Sequence, residues 1–188
     1  MDKIINLLLH NLVLHKCISE DDCDVFYFGL ECSILKVLHY ISYIVIGFMT
    51  NSIVSLLISA SVMIPLRKNG GGYHANTRTW CYLFSCMYVI LTCVINKVFF
   101  SMIIYIIVLL LCNVVIFVVA PVENKNRNLS REEVDYFKRK IIIILILSDL
   151  VISIMFFLEN KLYVYLVNGI FMVTLLMVLG KFIIERVN

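Results

Sequence analysis

Long apolar runs separated by short polar breaks organise the chain. Residues 33–66 are apolar almost throughout, with one interruption at Thr50, Asn51 and Ser52. As one helix this stretch would reach roughly 50 Å, well beyond a hydrocarbon core of about 30 Å. The pattern predicts two short helices, 33–49 and 53–66, turning at Asn51; one long, strongly tilted helix is the alternative. Further runs at about 80–96, 98–120, 141–158 and 162–184 bring the expected spans to about six. Upstream, Ile4, Ile5, Leu8 and Leu12 share one helical face, which predicts a helix lying on the membrane over residues 2–15. A second such helix is expected near Ser19, where "SEDD" supplies an N-cap and acidic first-turn residues. The one sizeable polar insert, Val122–Lys140, reads as a loop with a short helix starting at Ser130.

Composition turns these runs into a fold class. The 188 residues are 62% hydrophobic and 15% charged, more apolar surface than a water-soluble domain of this length can cover. The expectation is an all-α polytopic integral membrane protein, with about six transmembrane helices, N-terminal interfacial amphipathic helices and the lipid bilayer as its solvent. One domain over 1–188 divides into interfacial helices (1–32), a helical hairpin (33–66), a loop (67–79), a hairpin (80–120), a basic loop (121–140) and a final hairpin (141–184). The opening "MDKIINLLLHNLVLHKC" is unlike a signal peptide, since Asn6, His10 and Asn11 interrupt it and no small-residue cleavage site follows.

Charge orients the spans. The turns at "TNS", Asn96–Lys97 and Glu159–Lys161 hold two lysines, whereas Arg67, Lys68, Arg78, Lys125, Arg127, Arg131, Lys138, Arg139, Lys140, Lys181 and Arg186 fall on the other side. The positive-inside rule makes that second side cytoplasmic, together with both termini and the 67–79 loop.

Candidate chemistry concentrates in Arg67–Cys81, "RKNGGGYHANTRTWC". Gly70, Gly71 and Gly72 permit positive φ and close backbone approach; a flexible turn is the plain reading of glycines alone. His74 and Cys81 add a base and a thiol, and an imidazole can take the proton of a thiol or pair with the thiolate. On one continuous helix the two would lie about 10 Å apart, so His74 belongs on the glycine-hinged part, folding back over Cys81. Thr77 or Thr79 is placed to cap the third span, which leaves Cys81 in its first turn, where the helix dipole favours an anion. Arg67 or Arg78 would add to that field. A thiol and a base at a cytosolic membrane surface suit a membrane-bound substrate.

These residues resemble the signature of the AgrB family, the accessory gene regulator B proteins of Gram-positive quorum sensing. Arg67, Gly71, Gly72, His74 and Cys81 fall on its pattern of an arginine, a Gly-Gly-x-His element and a cysteine seven positions after the histidine. "APVENKNRNLSREE" from Ala120 resembles the family's proline-containing cytoplasmic loop, and Gly70 is an extra glycine that a loop would tolerate. The resemblance implies a membrane cysteine endopeptidase, with His74 and Cys81 catalytic and Arg67, Gly71 and Gly72 supporting the loop or binding substrate. It implies an AgrD-like precursor peptide as partner, cut to release its C-terminal segment, held as a thioester and cyclised to a thiolactone or lactone. It also implies a homodimer in the cell membrane; no cofactor, metal or nucleic acid is called for.

Other polar residues carry weaker signals. His10, His15 and His39 are not spaced as metal ligands, no H-E-x-x-H occurs, and the seven cysteines form no C-x-x-C pair. "SREEVDYFKRK" has Phe137 where a Glu-Glu-x-x-x-Arg intramembrane peptidase needs arginine. Asp149, inside the fifth span, is expected to bond another helix, Asn168 or a serine; orienting His74 or binding a basic substrate group is the sharper reading. Lys138, Arg139 and Lys140 read as a membrane anchor. A small-peptide transporter or export partner without covalent chemistry is the alternative function, and a structural membrane assembly protein a third.

Overall fold

A computed structural model describes residues 2–15, 17–73, 77–122 and 129–185. These form seven α-helices: α1 (Asp2–Leu14), α2 (Cys23–Met49), α3 (Ile53–Gly70), α4 (Arg78–Ile95), α5 (Met102–Val119), α6 (Arg131–Phe157) and α7 (Tyr163–Glu185). A 3-10 turn at Glu20–Asp22 precedes α2. Five helices (α2, α4, α5, α6 and α7) are long and apolar enough to cross a membrane. The protein is therefore an all-α polytopic membrane protein. The expected second span, α3, is not among the five because its last turn, Arg67-Lys68-Asn69-Gly70, is polar.

The chain falls into two units, Met1–Val45 and Ile46–Asn188. Within the first, α1 buries Ile5 and Leu9, one turn apart, while Leu7, Leu8 and Leu14 stand exposed. Tyr27 Oη donates to Asp2 Oδ1 at 3.0 Å, tying α2 to the start of α1. α2 runs unbroken from Cys23 to Met49, through residues 32 and 33. No proline intervenes, and Ser33 Oγ donates back to the Gly29 carbonyl at 2.8 Å, a bond that a continuous helix accommodates.

The turn at "TNS" is where the pattern puts it. Asn51 takes φ 51, a left-handed value asparagine tolerates, and Ser52 N–H donates to the Gly47 carbonyl at 2.8 Å. In the second unit α7 is the central helix and packs against α3, α5, α6 and α4. Val167, Ile170, Val173 and Met177 are fully enclosed. A polar network fixes α3, α4 and α7 in register. Asn96 Nδ2 donates to Ser59 Oγ at 2.9 Å, Asn168 Nδ2 donates to Asn96 Oδ1 at 3.1 Å, and Ser59 Oγ donates to the Tyr165 carbonyl at 2.8 Å. Gly169 lets α7 come this close, for a Cβ there would lie 2.7 Å from the Ser59 carbonyl.

α6 starts where Ser130 predicts. Ser130 Oγ accepts from Glu133 N–H at 3.2 Å and Glu133 Oε2 accepts from Ser130 N–H at 3.0 Å, a reciprocal capping box.

Candidate functional site

The end of α3 builds one wall of the candidate site. Arg67 lies in its last turn, and its guanidinium reaches forward over the chain that follows. Nη1 donates to the Gly71 carbonyl at 2.5 Å and Nη2 donates to the Tyr73 carbonyl. A planar fork holds two carbonyls through two nitrogens at fixed spacing, a rigidity that a lysine ammonium lacks. Burial lowers the Arg67 pKa from its ordinary value, and the negative charge that Tyr88 and Cys81 carry when ionised acts in the opposite direction. Cys81 is therefore within electrostatic reach of this guanidinium.

The backbone after Arg67 is held from both sides. Gly71 and Gly72 have φ of 69 and 126, values that a residue with a side chain rarely adopts. Val122 N–H donates to the Gly70 carbonyl at 2.9 Å, and Gly71 pairs with Val122 in an isolated parallel bridge. On the opposite side Tyr73 N–H donates to the Leu176 carbonyl of α7 at 3.0 Å. Gly180, one turn further along α7, has no room for a Cβ: it would lie 2.6 Å from Gly72 C and Tyr73 N. Gly70 belongs to α3 rather than to a loop, and the Met177 side chain fills the space that a Cβ would take.

Cys81 is partly exposed in the first turn of α4. Thr77 is the N-cap: its backbone is extended, its Oγ1 accepts from Trp80 N–H at 3.3 Å, and its carbonyl accepts from Cys81 N–H at 2.9 Å. The thiol thus stands at the positive end of the helix, where unsatisfied N–H groups and the dipole favour negative charge. Trp80 beside it is exposed, an aromatic placement typical of the membrane–water boundary. Tyr73 meets Phe84 of α4 edge-on with ring centroids 5.0 Å apart, so the clamped segment lies against the helix that carries Cys81.

Of the five residues expected at the site, Arg67, Gly71, Gly72 and Cys81 fall in this one region, on α3, the segment after it and the start of α4. His74 lies outside the described residues. Among the described residues no group of three or more histidines, cysteines and carboxylates could hold a metal ion. Tyr73, Val122, Leu176 and Gly180 also build the region. Tyr73 lies within the Arg67–Cys81 stretch and Val122 within the stretch that resembles the proline-containing loop, whereas Leu176 and Gly180 carried no signal in the sequence.

Asp149 Oδ2 accepts from Asn113 Nδ2 at 2.8 Å, a bond between α6 and α5, whereas Asn168 is engaged by Asn96. His10 and His15 are exposed, and His39 Nδ1 bonds its own helix at the Leu35 carbonyl, 2.7 Å away. Lys138 Nζ lies 5.0 Å from the Phe117 ring centre and Lys140 Nζ 4.3 Å from that of Tyr136, as fits cationic anchors on an apolar surface.

The sequence profile of the family described as Accessory gene regulator B matches residues 1–180. No curated protein and no solved structure matches the chain.

Proposed function

We propose, for a chain that belongs to the accessory gene regulator B family and so to quorum-sensing autoinducer processing, that it is a membrane cysteine endopeptidase and peptide cyclase. Cys81 is the nucleophile, His74 its base, and an AgrD-like precursor the substrate. The carrying observation is the position of Cys81. It sits in the first turn of a capped helix, within reach of the Arg67 charge, while Arg67 itself clamps the segment that leads into His74.

The steps balance with these two groups. His74 takes the Cys81 thiol proton as sulfur attacks the scissile carbonyl. The C–N bond breaks, the proton passes to the leaving amine, and the C-terminal segment departs. The remaining peptide is a thioester on Cys81. The precursor's own internal thiol or hydroxyl then attacks that carbonyl, giving its proton to His74; the C–S bond to Cys81 breaks and the proton returns to sulfur. The product is a thiolactone or lactone. Exchange of a thioester for a thiolactone is nearly balanced in energy, so ring closure needs proximity and exclusion of water rather than a strong driving force. Arg67, Gly71 and Gly72 keep the segment in place for this chemistry.

The charge asymmetry supports a reading in which α3 also crosses, with the site and both termini on the cytosolic side, and the family resemblance extends that reading to a homodimer. Impermeant labels applied from outside should reach probes at Asn51, Lys97 or Asn160 and miss one at Asn69. Lys97 is preferred to Asn96, which is buried. The catalytic reading is tested in proteoliposomes with a synthetic precursor. Cys81→Ala and His74→Ala should each abolish cleavage while insertion is unchanged, and alanine at each of the other six cysteines should leave it intact. Cleavage by Cys81→Ala at the normal rate would remove the enzymatic reading and favour transport.

A further inference from the structure

Away from the Cys81 region, α5 and α6 meet more sparsely than any other contacting helix pair of the bundle that shares several contacts. Their polar link is the 2.8 Å bond from Asn113 to Asp149. A cavity of about 660 Å³ opens beside it, lined among others by Ile106, Leu110 and Phe157, and a second of about 330 Å³ is lined among others by Phe117 and Ile146. Asn113 and Asp149 line both. One oxygen of each, Asn113 Oδ1 and Asp149 Oδ1, has no hydrogen-bond partner among the described residues.

Asp149 lies midway between Ile141 and Phe157, the apolar part of α6, and so near the middle of the bilayer. Lipid tails offer no hydrogen bond there, and polar groups left unpaired at that depth are costly. We propose that the α5–α6 cleft is the surface through which two copies of this chain associate, with Asn113 and Asp149 of each copy bonding those of the other.

Two features select a second copy as the occupant. The first is depth. Copies inserted in the same orientation and related by a two-fold axis along the membrane normal place every residue opposite a region of equal depth. A mid-bilayer polar pair then meets its own twin, whereas an unrelated helix would need a polar residue at a matching level. The second is chemistry. After bonding Asp149, the Asn113 carboxamide still has one N–H to donate and an oxygen to accept, and Asp149 has a further accepting oxygen. The pair is self-complementary, as an isologous interface requires. The broad terminal torsions of Asn and Asp let the free oxygens turn into the cavities they line. Polar pairing of this kind is a recognised source of helix association in membranes.

The inference gives the homodimer reading a surface and does not depend on Cys81 chemistry, because its readout is association rather than cleavage. The full-length protein, purified and labelled with donor and acceptor dyes, is reconstituted at decreasing protein-to-lipid ratio, and energy transfer is followed. The wild type should dimerise, Asp149→Leu and Asn113→Leu should each weaken association at least tenfold, and Asp149→Asn should retain it. A photoreactive residue at Ile146 in an otherwise unchanged chain should give a dimer adduct, and one at Ile90 on α4 should not; this arm holds even if a leucine variant fails to insert. A wild type that is monomeric at all densities, leucine variants that associate normally, or adducts from position 90 and not 146 would each overturn the proposal.

Discussion

Two regions of α3, around Ser59 and around Arg67, are held by polar groups and are built differently. Ser59, Asn96 and Asn168 form a buried network that joins side chain to side chain and also reaches the Ser55 and Tyr165 carbonyls. In the last turn of α3 Arg67 bonds backbone carbonyls of the segment that follows, beside a thiol that is partly exposed. The first arrangement joins buried groups of the bundle to one another. The second holds a stretch of backbone against the helix that carries the Cys81 thiol. Closed pairing fixes the fold; pairing to backbone around an open side chain prepares a site.

Breaking the second arrangement should have the larger effect on activity. Arg67→Lys keeps the charge but offers one nitrogen in place of two at fixed spacing, so the Gly71 and Tyr73 carbonyls lose their rigid placement, and displacement of the segment by about 1 Å should reduce precursor cleavage about 100-fold. The rate in proteoliposomes checks this, and the thermal unfolding midpoint should move little by comparison. Gly180→Ala tests the same segment from the α7 side. Its Cβ would press on Gly72 and Tyr73, so cleavage should fall about tenfold with a destabilisation of about 1–3 kcal/mol.

Breaking the first arrangement should invert the pattern. Asn96→Ala removes the bonds to Ser59 and Asn168 and should cost about 2 kcal/mol of stability, while cleavage per folded molecule stays near that of the wild type. Denaturant titration in detergent, run beside the activity assay on the same preparation, separates the two. The smallest effect is expected from Ser130→Ala, which loses the capping box of α6 and should cost about 1 kcal/mol with activity unchanged.

The same contrast explains what could be read from the sequence. Runs of apolar residues and local turn chemistry depend on neighbours along the chain, and the Asn51 turn, the Ser130 cap and a threonine cap at residue 77 or 79 were legible for that reason. The continuity of α2 through residue 33 was not, because polar residues such as Asp24 and Glu31 bound an apolar run without stopping a helix. Which polar side chains meet across helices was also hidden. Asp149 bonds Asn113 rather than Asn168, a choice set by which faces α5, α6 and α7 turn toward one another. At the candidate site the types Arg67, Gly71, Gly72 and Cys81 stood out, but the reason for the arginine, two carbonyls at fixed spacing, needed the path of the backbone. Gly70 looked dispensable in a loop and instead ends a helix against Met177.

The central claim is that Cys81 carries the peptide as a thioester. The most direct measurement is to stop the reaction with acid during turnover, digest the protein and find the acylated peptide by mass spectrometry. The account predicts an adduct of the precursor's N-terminal portion on the fragment containing Cys81, released by hydroxylamine and missing from Cys81→Ala. Cleavage proceeding with no adduct on Cys81, or with the adduct on another cysteine, would contradict it.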